Sequence, residues 1–235
     1  MRDLTARSTS AEWMDAEDVT QADFAACLAD LAIVNSMTLA RPPTLAFVAE
    51  AWLRTEGRPL TLLDVGFGAG DMLRAIRRLA DRQGMEIRLI GIDLNPRSLP
   101  AAIASTPAAM AIDYRIGDLF DLPEDEPIDL VVSSLVTHHM ANEEIVRFIG
   151  WMERRARCGW FISDLHRHPV AYHGFRLLSA VMRWHPFVRH DGPLSVARAF
   201  WKADWARLLA AAGVARVAHL KWRFPFRYCV TRWRA

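Results

Sequence analysis

The run Leu62-Leu63-Asp64-Val65-Gly66-Phe67-Gly68-Ala69-Gly70-Asp71 constrains this chain more than any other stretch. An apolar segment that reads as a buried parallel strand gives way to glycine at every second position, then to residues at helical spacing. A strand, a tight turn and a helix N-terminus are therefore expected in succession. Glycine at positions 66, 68 and 70 permits a left-handed backbone and leaves no Cβ between main chain and ligand. The dinucleotide fingerprint G-x-G-x-x-G sets its third glycine one residue later, beneath a pyrophosphate. This turn is shaped for a different ligand, although glycine triplets also mark βα turns that bind nothing.

Downstream, a helix over Met72–Asp81 leads to a second apolar strand, Ile87–Ile92, that ends in Asp93 with Leu94 beside it. In a doubly wound sheet that carboxylate stands at the carboxyl end of the neighbouring strand, placed to accept both hydroxyls of a ribose. A third strand near Tyr114–Ile116 ends in Gly117-Asp118-Leu119, where the Asp118 carboxylate and the Leu119 N–H can reach an adenine edge. Fourth and fifth strands follow at Ile128–Leu135 and Gly159–Leu165. Strands alternating with helices predict an α/β fold, a Rossmann-like doubly wound, mostly parallel sheet.

Four segments carry a family resemblance: Asp64-Val65-Gly66-Phe67-Gly68-Ala69-Gly70, Gly91-Ile92-Asp93, Gly117-Asp118-Leu119 and Ile128-Asp129-Leu130-Val131-Val132-Ser133-Ser134-Leu135. In order and spacing they resemble the class I S-adenosylmethionine-dependent methyltransferases. The resemblance implies S-adenosylmethionine as cofactor, its methionine moiety on Gly66, Gly68 and Gly70, its ribose on Asp93 and its adenine amine on Asp118. Asp64, Leu94, Leu119 and Ser133 complete the implied cofactor set, and Arg41 is placed to pair with the methionine carboxylate, if it is not simply a solvated arginine before a proline turn. The layout resembles bacterial small-molecule enzymes of the ubiquinone/menaquinone-biosynthesis-like group, which implies a small aromatic, quinonoid or polyketide-type acceptor.

One domain over residues 1–235 is expected, since 52% hydrophobic composition supplies a sizeable core. Residues 1–58 read as an N-terminal helical cap: a polar segment over 1–18 with little function, a helix from Asp18 to Asn35, and another after Pro42-Pro43. Asn95 reads as the N-cap of a short helix to Ala104, the acidic residues of 121–127 as solvated, and Asn142-Glu143-Glu144 as a helix start. Toward the end come a helix over Phe200–Ala212 closed by Gly213, then an antiparallel edge hairpin around Phe224-Pro225-Phe226. The segment 167–199 is too long for an ordinary crossover and carries Ala171, Phe175, Leu178 and Met182 at helical spacing. It is read as a substrate lid, against the alternative of a helix packed for stability alone.

A formal charge of +2 with dispersed basic residues does not imply nucleic acid, and Lys221, Arg223, Arg227, Arg232 and Arg234 fit the solvent faces of the hairpin. Nor is there, after strand four, the Asn- or Asp-Pro-Pro-aromatic stretch of enzymes that methylate adenine or glutamine nitrogen. Cys27, Cys158 and Cys229 lie far apart and read as buried thiols. With no apolar leader and no run of eighteen apolar residues, the expectation is a cytoplasmic protein without a membrane partner, monomeric or homodimeric.

Methyl transfer from a sulfonium is an in-line displacement of an already activated electrophile, so alignment and exclusion of water matter most. No metal is expected to be needed. A phenolic acceptor, with an ordinary pKa near 10, gains from a positioned base, and histidine suits neutral pH. His138-His139 follows strand four and His166-Arg167-His168 follows strand five. His139 is the preferred base, with His138 and His166 in reserve. The same histidines could instead ligate a metal or merely satisfy hydrogen bonds; metal is disfavoured because catechol-type enzymes hold magnesium through oxygen ligands, and only Asp164 lies close by. The function expected is methylation of a phenolic hydroxyl. The alternatives are carbon methylation of a similar acceptor, or a non-catalytic cofactor-binding partner whose acceptor cavity is filled by Trp184 and its neighbours.

Overall fold

The computed structural model describes residues 4–234. Strands β1 (Leu60–Val65), β2 (Ile87–Asp93), β3 (Ile112–Ile116), β4 (Leu130–Ser134), β5 (Gly159–Leu165), β6 (His219–Arg223) and β7 (Arg227–Trp233) form one sheet of order β3-β2-β1-β4-β5-β7-β6. The first five pair in parallel, and β7 runs antiparallel to both β5 and β6, as the C-terminal hairpin requires. The order reverses beside β1, with β2 on one side and β4 on the other, and a crevice opens there at the carboxyl ends of the strands.

Side-chain alternation along the central strands splits the core into two layers. Leu60 and Leu62 of β1 face α2 (Arg41–Arg54) and α3 (Asp71–Gln83), among Phe47, Leu73 and Ile76. Leu63 and Val65 face the opposite layer, where Phe148 and Ile149 of α5 (Asn142–Arg155) meet Trp205 and Leu208 of α8 (Lys202–Ala211). Above the crevice sits a third group. Cys27 and Val34 of α1 (Gln21–Met37) pack on Trp184 and on Phe175, Leu178 and Val188 of the helical hairpin α6 (Pro169–Val181) and α7 (Pro186–Arg198), while Phe24 and Leu28 cluster with Ala69, Ala101 and Phe187.

Several local expectations are corrected. Helix α4 (Ser98–Ser105) starts beyond Asn95, because the Asn95 side chain accepts from the Arg97 N–H at 3.0 Å and closes a turn ahead of the helix. At α5 the N-cap is Ala141, whose N–H is taken by Glu144 at 2.7 Å, while the Asn142 side-chain oxygen Oδ1 accepts from Arg7. Glu126 is not merely solvated: Arg115 grips it through two bonds of 2.8 and 2.9 Å. Cys158 is only partly buried and faces Arg58 at 3.0 Å. Of the C-terminal basic residues, Lys221 and Arg223 are exposed, Arg232 pairs with Glu153, and Arg227 is buried.

The polar N-terminal segment departs furthest from its reading. Residues 4–16 cross the crevice as a strap, in which Arg7 donates to the carbonyls of Arg198 and Met140, and the N–H groups of Trp13 and Met14 donate to Asp191 at 2.8 and 2.9 Å. Trp13 stacks on His190 with ring centroids 3.7 Å apart. Glu12 lies buried beneath.

Candidate active site

The glycine turn takes left-handed backbone at all three glycines, with φ of +78° at Gly66, +52° at Gly68 and +73° at Gly70. Packing closes two of these positions. A Cβ on Gly66 would lie 2.3 Å from Val136 Cγ2, and one on Gly70 would lie 2.1 Å from the Tyr114 hydroxyl. At Gly68 the nearest atom to such a Cβ is Leu28 Cδ2, 3.6 Å away, so a side chain there would stand in the crevice. Asp93 ties this turn to the end of β2: one carboxylate oxygen accepts from the Gly68 N–H and the other from the Asn95 N–H, each at 2.9 Å. Burial raises the Asp93 acid above the usual range, against the pull of those two N–H groups. Asp64 is pushed well above it, first by complete burial and then by the charges of Asp71 and Asp93.

A cavity of about 630 Å³ occupies the crevice, within the range of roughly 300–1,000 Å³ usual for ligand sites. Its wall includes Asp64, Gly66, Gly68, Asp93, Leu94, Arg41, His138, His139 and His166. Gly70, Asp118, Leu119 and Ser133 stand outside it. Gly70 lies under Tyr114, Asp118 accepts from the Phe120 N–H, Leu119 is core, and the Ser133 hydroxyl donates to the Val65 carbonyl. Arg41 pairs with Asp71 at 3.0 Å and donates to the Ala32 carbonyl, so it is not simply solvated. Phe24, Phe67, Phe175 and Phe226 make part of the wall aromatic. Trp184 packs behind α1 and does not fill the space.

The two adjacent histidines face different partners because a single helical turn, Thr137–His139, rotates one away from the other. His138 is buried, with Nδ1 2.7 Å from one oxygen of the fully buried Asp164. The other Asp164 oxygen accepts from the Thr137 hydroxyl and from the His138 N–H. Burial alone would raise this acid; the His138 charge and these donors outweigh it and hold Asp164 at about 2. In the neutral ring this carboxylate holds the proton on Nδ1, so that Nε2, which lies 4.0 Å from Glu12, is then the nitrogen with the lone pair.

His139 differs. Its Nδ1 is 3.2 Å from Asp15 and its Nε2 3.8 Å from Glu12. Burial disfavours its charge, but the Asp15 hydrogen bond and the two carboxylates prevail, and its pKa is raised above the ordinary 6.5. His166 accepts from the Trp222 indole N–H at Nδ1, and its buried Nε2 has no hydrogen-bond partner among the described residues. Burial, then the charges of His168 and Arg167, lower it to about 4. It is a neutral ring with its proton on Nε2.

Glu12, which the sequence reading passed over, sits between both histidines. It accepts from the Ser195 hydroxyl at 3.0 Å and faces Arg198 at 3.8 Å. Among the described residues, Glu12, His138 and His139 have the spacing of a metal-ligand set, their donor atoms lying within 4.8 Å of one another. A cation there would compete with the Arg198 guanidinium. Arg198 and Arg7 also clamp the histidine turn from outside, donating to the carbonyls of His138, His139 and Met140.

Arg227 is the second residue that sequence patterning misplaced. Only 2% exposed, it lines the cavity, gives Nη2 to the Thr38 hydroxyl at 2.9 Å and leaves Nε and Nη1 without partners among the described residues. Burial lowers its pKa to about 10, with Asp164 acting the other way. A buried charge this poorly matched opposes folding. Arg227→Met is therefore expected to stabilise the ligand-free protein by on the order of 1–3 kcal/mol, a rise in Tm of roughly 2–10 °C by calorimetry. A fall in Tm would show that the guanidinium is well compensated.

Comparison with known proteins agrees with this fold. A family model described as a methyltransferase domain matches residues 62–186, over half of the chain. No curated protein matches it. Among solved structures, the plantazolicin methyltransferase BpumL, in complex with a monoazolic desmethylPZN analog and SAH, superposes with a TM-score of 0.64 at 12% identity over 92% of this chain and 96% of that one. Magnesium protoporphyrin IX methyltransferase (ChlM) from Synechocystis PCC 6803 with bound SAM gives 0.53 at 17% identity, covering 84% and 81%. Human N-acetylserotonin methyltransferase (ASMT) in complex with SAM gives 0.60 at 16% identity, covering 92% of this chain and 57% of that one. With strand order, glycine turn and family match in agreement, the chain belongs to the methyltransferase-domain family, in the class I fold of the S-adenosylmethionine-dependent enzymes.

Proposed function

We propose that this protein transfers a methyl group from S-adenosylmethionine to an aromatic hydroxyl of a small, largely apolar acceptor, and that His138 is the base. The observation that carries this reading is the buried Asp164–His138 pair, 2.7 Å apart, in the wall of the same cavity as the glycine turn and Asp93. The cofactor supplies an electrophilic methyl. Around it, Gly66 and Gly68 leave space for the methionine moiety, Asp93 keeps oxygen lone pairs for the ribose hydroxyls, and Arg41 stands within reach of a carboxylate. His138 Nε2 accepts the acceptor proton, Asp164 holds the ring in the competent tautomer, and the Glu12 carboxylate favours the imidazolium that forms.

His138 is preferred over His139 because its ring is held in one orientation by a fully buried carboxylate, Asp164, at 2.7 Å, whereas His139 is held by the exposed Asp15 at 3.2 Å. His166 carries its proton on the nitrogen that would have to accept one. The structural neighbours are a plantazolicin methyltransferase bound to a desmethylPZN analog, a magnesium protoporphyrin IX methyltransferase and an N-acetylserotonin methyltransferase, too diverse to choose one acceptor for this chain. The phenylalanines of the wall favour an aromatic one.

The test is a screen of phenolic and quinonoid acceptors, scored by mass gain of one methyl, together with calorimetry of S-adenosylhomocysteine binding. Asp93→Ala is expected to weaken that binding by about 1.5–3 kcal/mol for each lost bond, roughly ten- to a hundredfold in Kd. Asp93→Asn, which keeps an acceptor for the Gly68 N–H, should lose less. Undiminished affinity in the alanine variant would move the ribose elsewhere, and no binding to the unaltered protein would remove the cofactor assignment.

A further inference from the structure

We infer that the acceptor side of the cavity opens onto an anionic lipid bilayer surface, with α6 and the β6–β7 turn as the docking face. Two apolar features stand in solvent there. Val170, Leu177 and Val181 form one stripe along α6 at 60, 69 and 69% exposure, and Phe224 at the hairpin tip is 70% exposed with Trp222 beside it. The two elements meet: His168, whose Nδ1 accepts the Val170 N–H, stacks on Phe226 with centroids 5.0 Å apart.

Charge selects the partner. No carboxylate occurs between Asp164 and Asp191 or after Asp204. Arg176, Lys221 and Arg223 on these elements and Arg183 just beyond the end of α6 are exposed, and among the described residues none of them has an ion-pair partner. A second copy of the chain docking through the same face would set these cations against one another. A nucleic acid would have no use for an aliphatic stripe. A bilayer with acidic headgroups suits both parts, with the stripe entering the headgroup–acyl boundary, the arginines at the phosphates and Trp222 at the interface.

The face is also continuous with the site. Val170 and Gly174 are exposed on it and line the cavity, as do the half-buried Pro225 and Phe226 of the hairpin. An acceptor with an apolar tail can therefore pass from bilayer to cavity without crossing water. No single helix among the described residues is long and apolar enough to span a membrane, so attachment is peripheral and reversible. This inference extends the acceptor reading above to a lipid-borne substrate, but docking itself is measured without an acceptor.

Vesicle sedimentation tests it, using phosphatidylcholine with and without phosphatidylglycerol. The protein should sediment with the phosphatidylglycerol vesicles, less as salt rises, and only weakly with phosphatidylcholine alone. Combined Leu177→Gln, Val181→Gln and Phe224→Gln, and separately Arg176→Gln with Arg183→Gln, should each lower partitioning roughly tenfold or more. Affinity for S-adenosylhomocysteine should not change, which shows that both variants fold and separates failed docking from failed cofactor binding. The inference is overturned if the unaltered protein ignores acidic vesicles, if either variant binds them undiminished, or if sedimentation velocity shows a dimer that the apolar variant loses.

Discussion

His138→Ala is expected to slow methylation by about 10²–10⁴ while leaving affinity for S-adenosylhomocysteine intact. Asp164→Asn should fall into the same range for a different reason. An amide accepts only through its oxygen and can present N–H to the ring, so the proton moves to Nε2 and the lone pair is lost from the side that needs it. His139→Ala should cost much less. Because Asp164 is held at about 2, it stays ionised throughout the range in which an imidazole titrates, so the acid limb of the rate profile should follow one proton. The sign for stability is set by the same depression: the contribution of Asp164 is complete above its unfolded value near 3.9 and is lost as pH falls through about 2. Full rate in the His138 variant would remove the base assignment. A rate abolished by chelator would make Glu12, His138 and His139 ligands instead.

Removal of the residues up to Asp15 should destabilise the protein and nearly abolish turnover. Buried Asp191 would lose the N–H groups of Trp13 and Met14, keeping the His190 ring at 2.7 Å, and each hydrogen bond to a charged group contributes about 1.5–3 kcal/mol. A loss of roughly 3–6 kcal/mol is expected on that ground, read as a lower midpoint in urea. The histidine turn would lose its Arg7 clamp and Glu12 together, so the rate should fall even where the truncated protein stays folded. Arg7→Ala separates the two effects: it removes the clamp but keeps Glu12 and the Asp191 contacts. Truncation that left both midpoint and rate unchanged would return the strap to the passive segment its composition suggests.

That contrast shows which parts of the site the sequence makes legible. The β1 turn, Asp93 and the β4 end could be read because each is defined by neighbours within a few residues, through strand periodicity, glycine spacing and an acid at a strand terminus. The strap has no period. Its importance comes from contacts with residues more than a hundred positions away, such as Arg7 with Met140 and Trp13 with Asp191. Arg227 follows the alternation of an edge hairpin and reads as solvated, yet the turn after α1 brings Thr38 over it. Choosing between His138 and His139 required the rotation of one turn, which adjacent residues in a sequence do not reveal. Asp118 and Ser133 illustrate the converse, since their motifs are legible while the described cavity does not reach them.

The contact between Gly66 and Val136 bears on how such an enzyme can drift. Val136 begins the turn that carries His138, and its methyl groups occupy the notch that the missing side chain of Gly66 leaves. Neither position can grow without displacing the other, so the loop that seats the cofactor and the loop that presents the base form one steric unit. Substitutions at the two sites should be non-additive. A lineage changing its acceptor would then vary the roof and the hairpin freely, while this pair of small and branched residues stays matched.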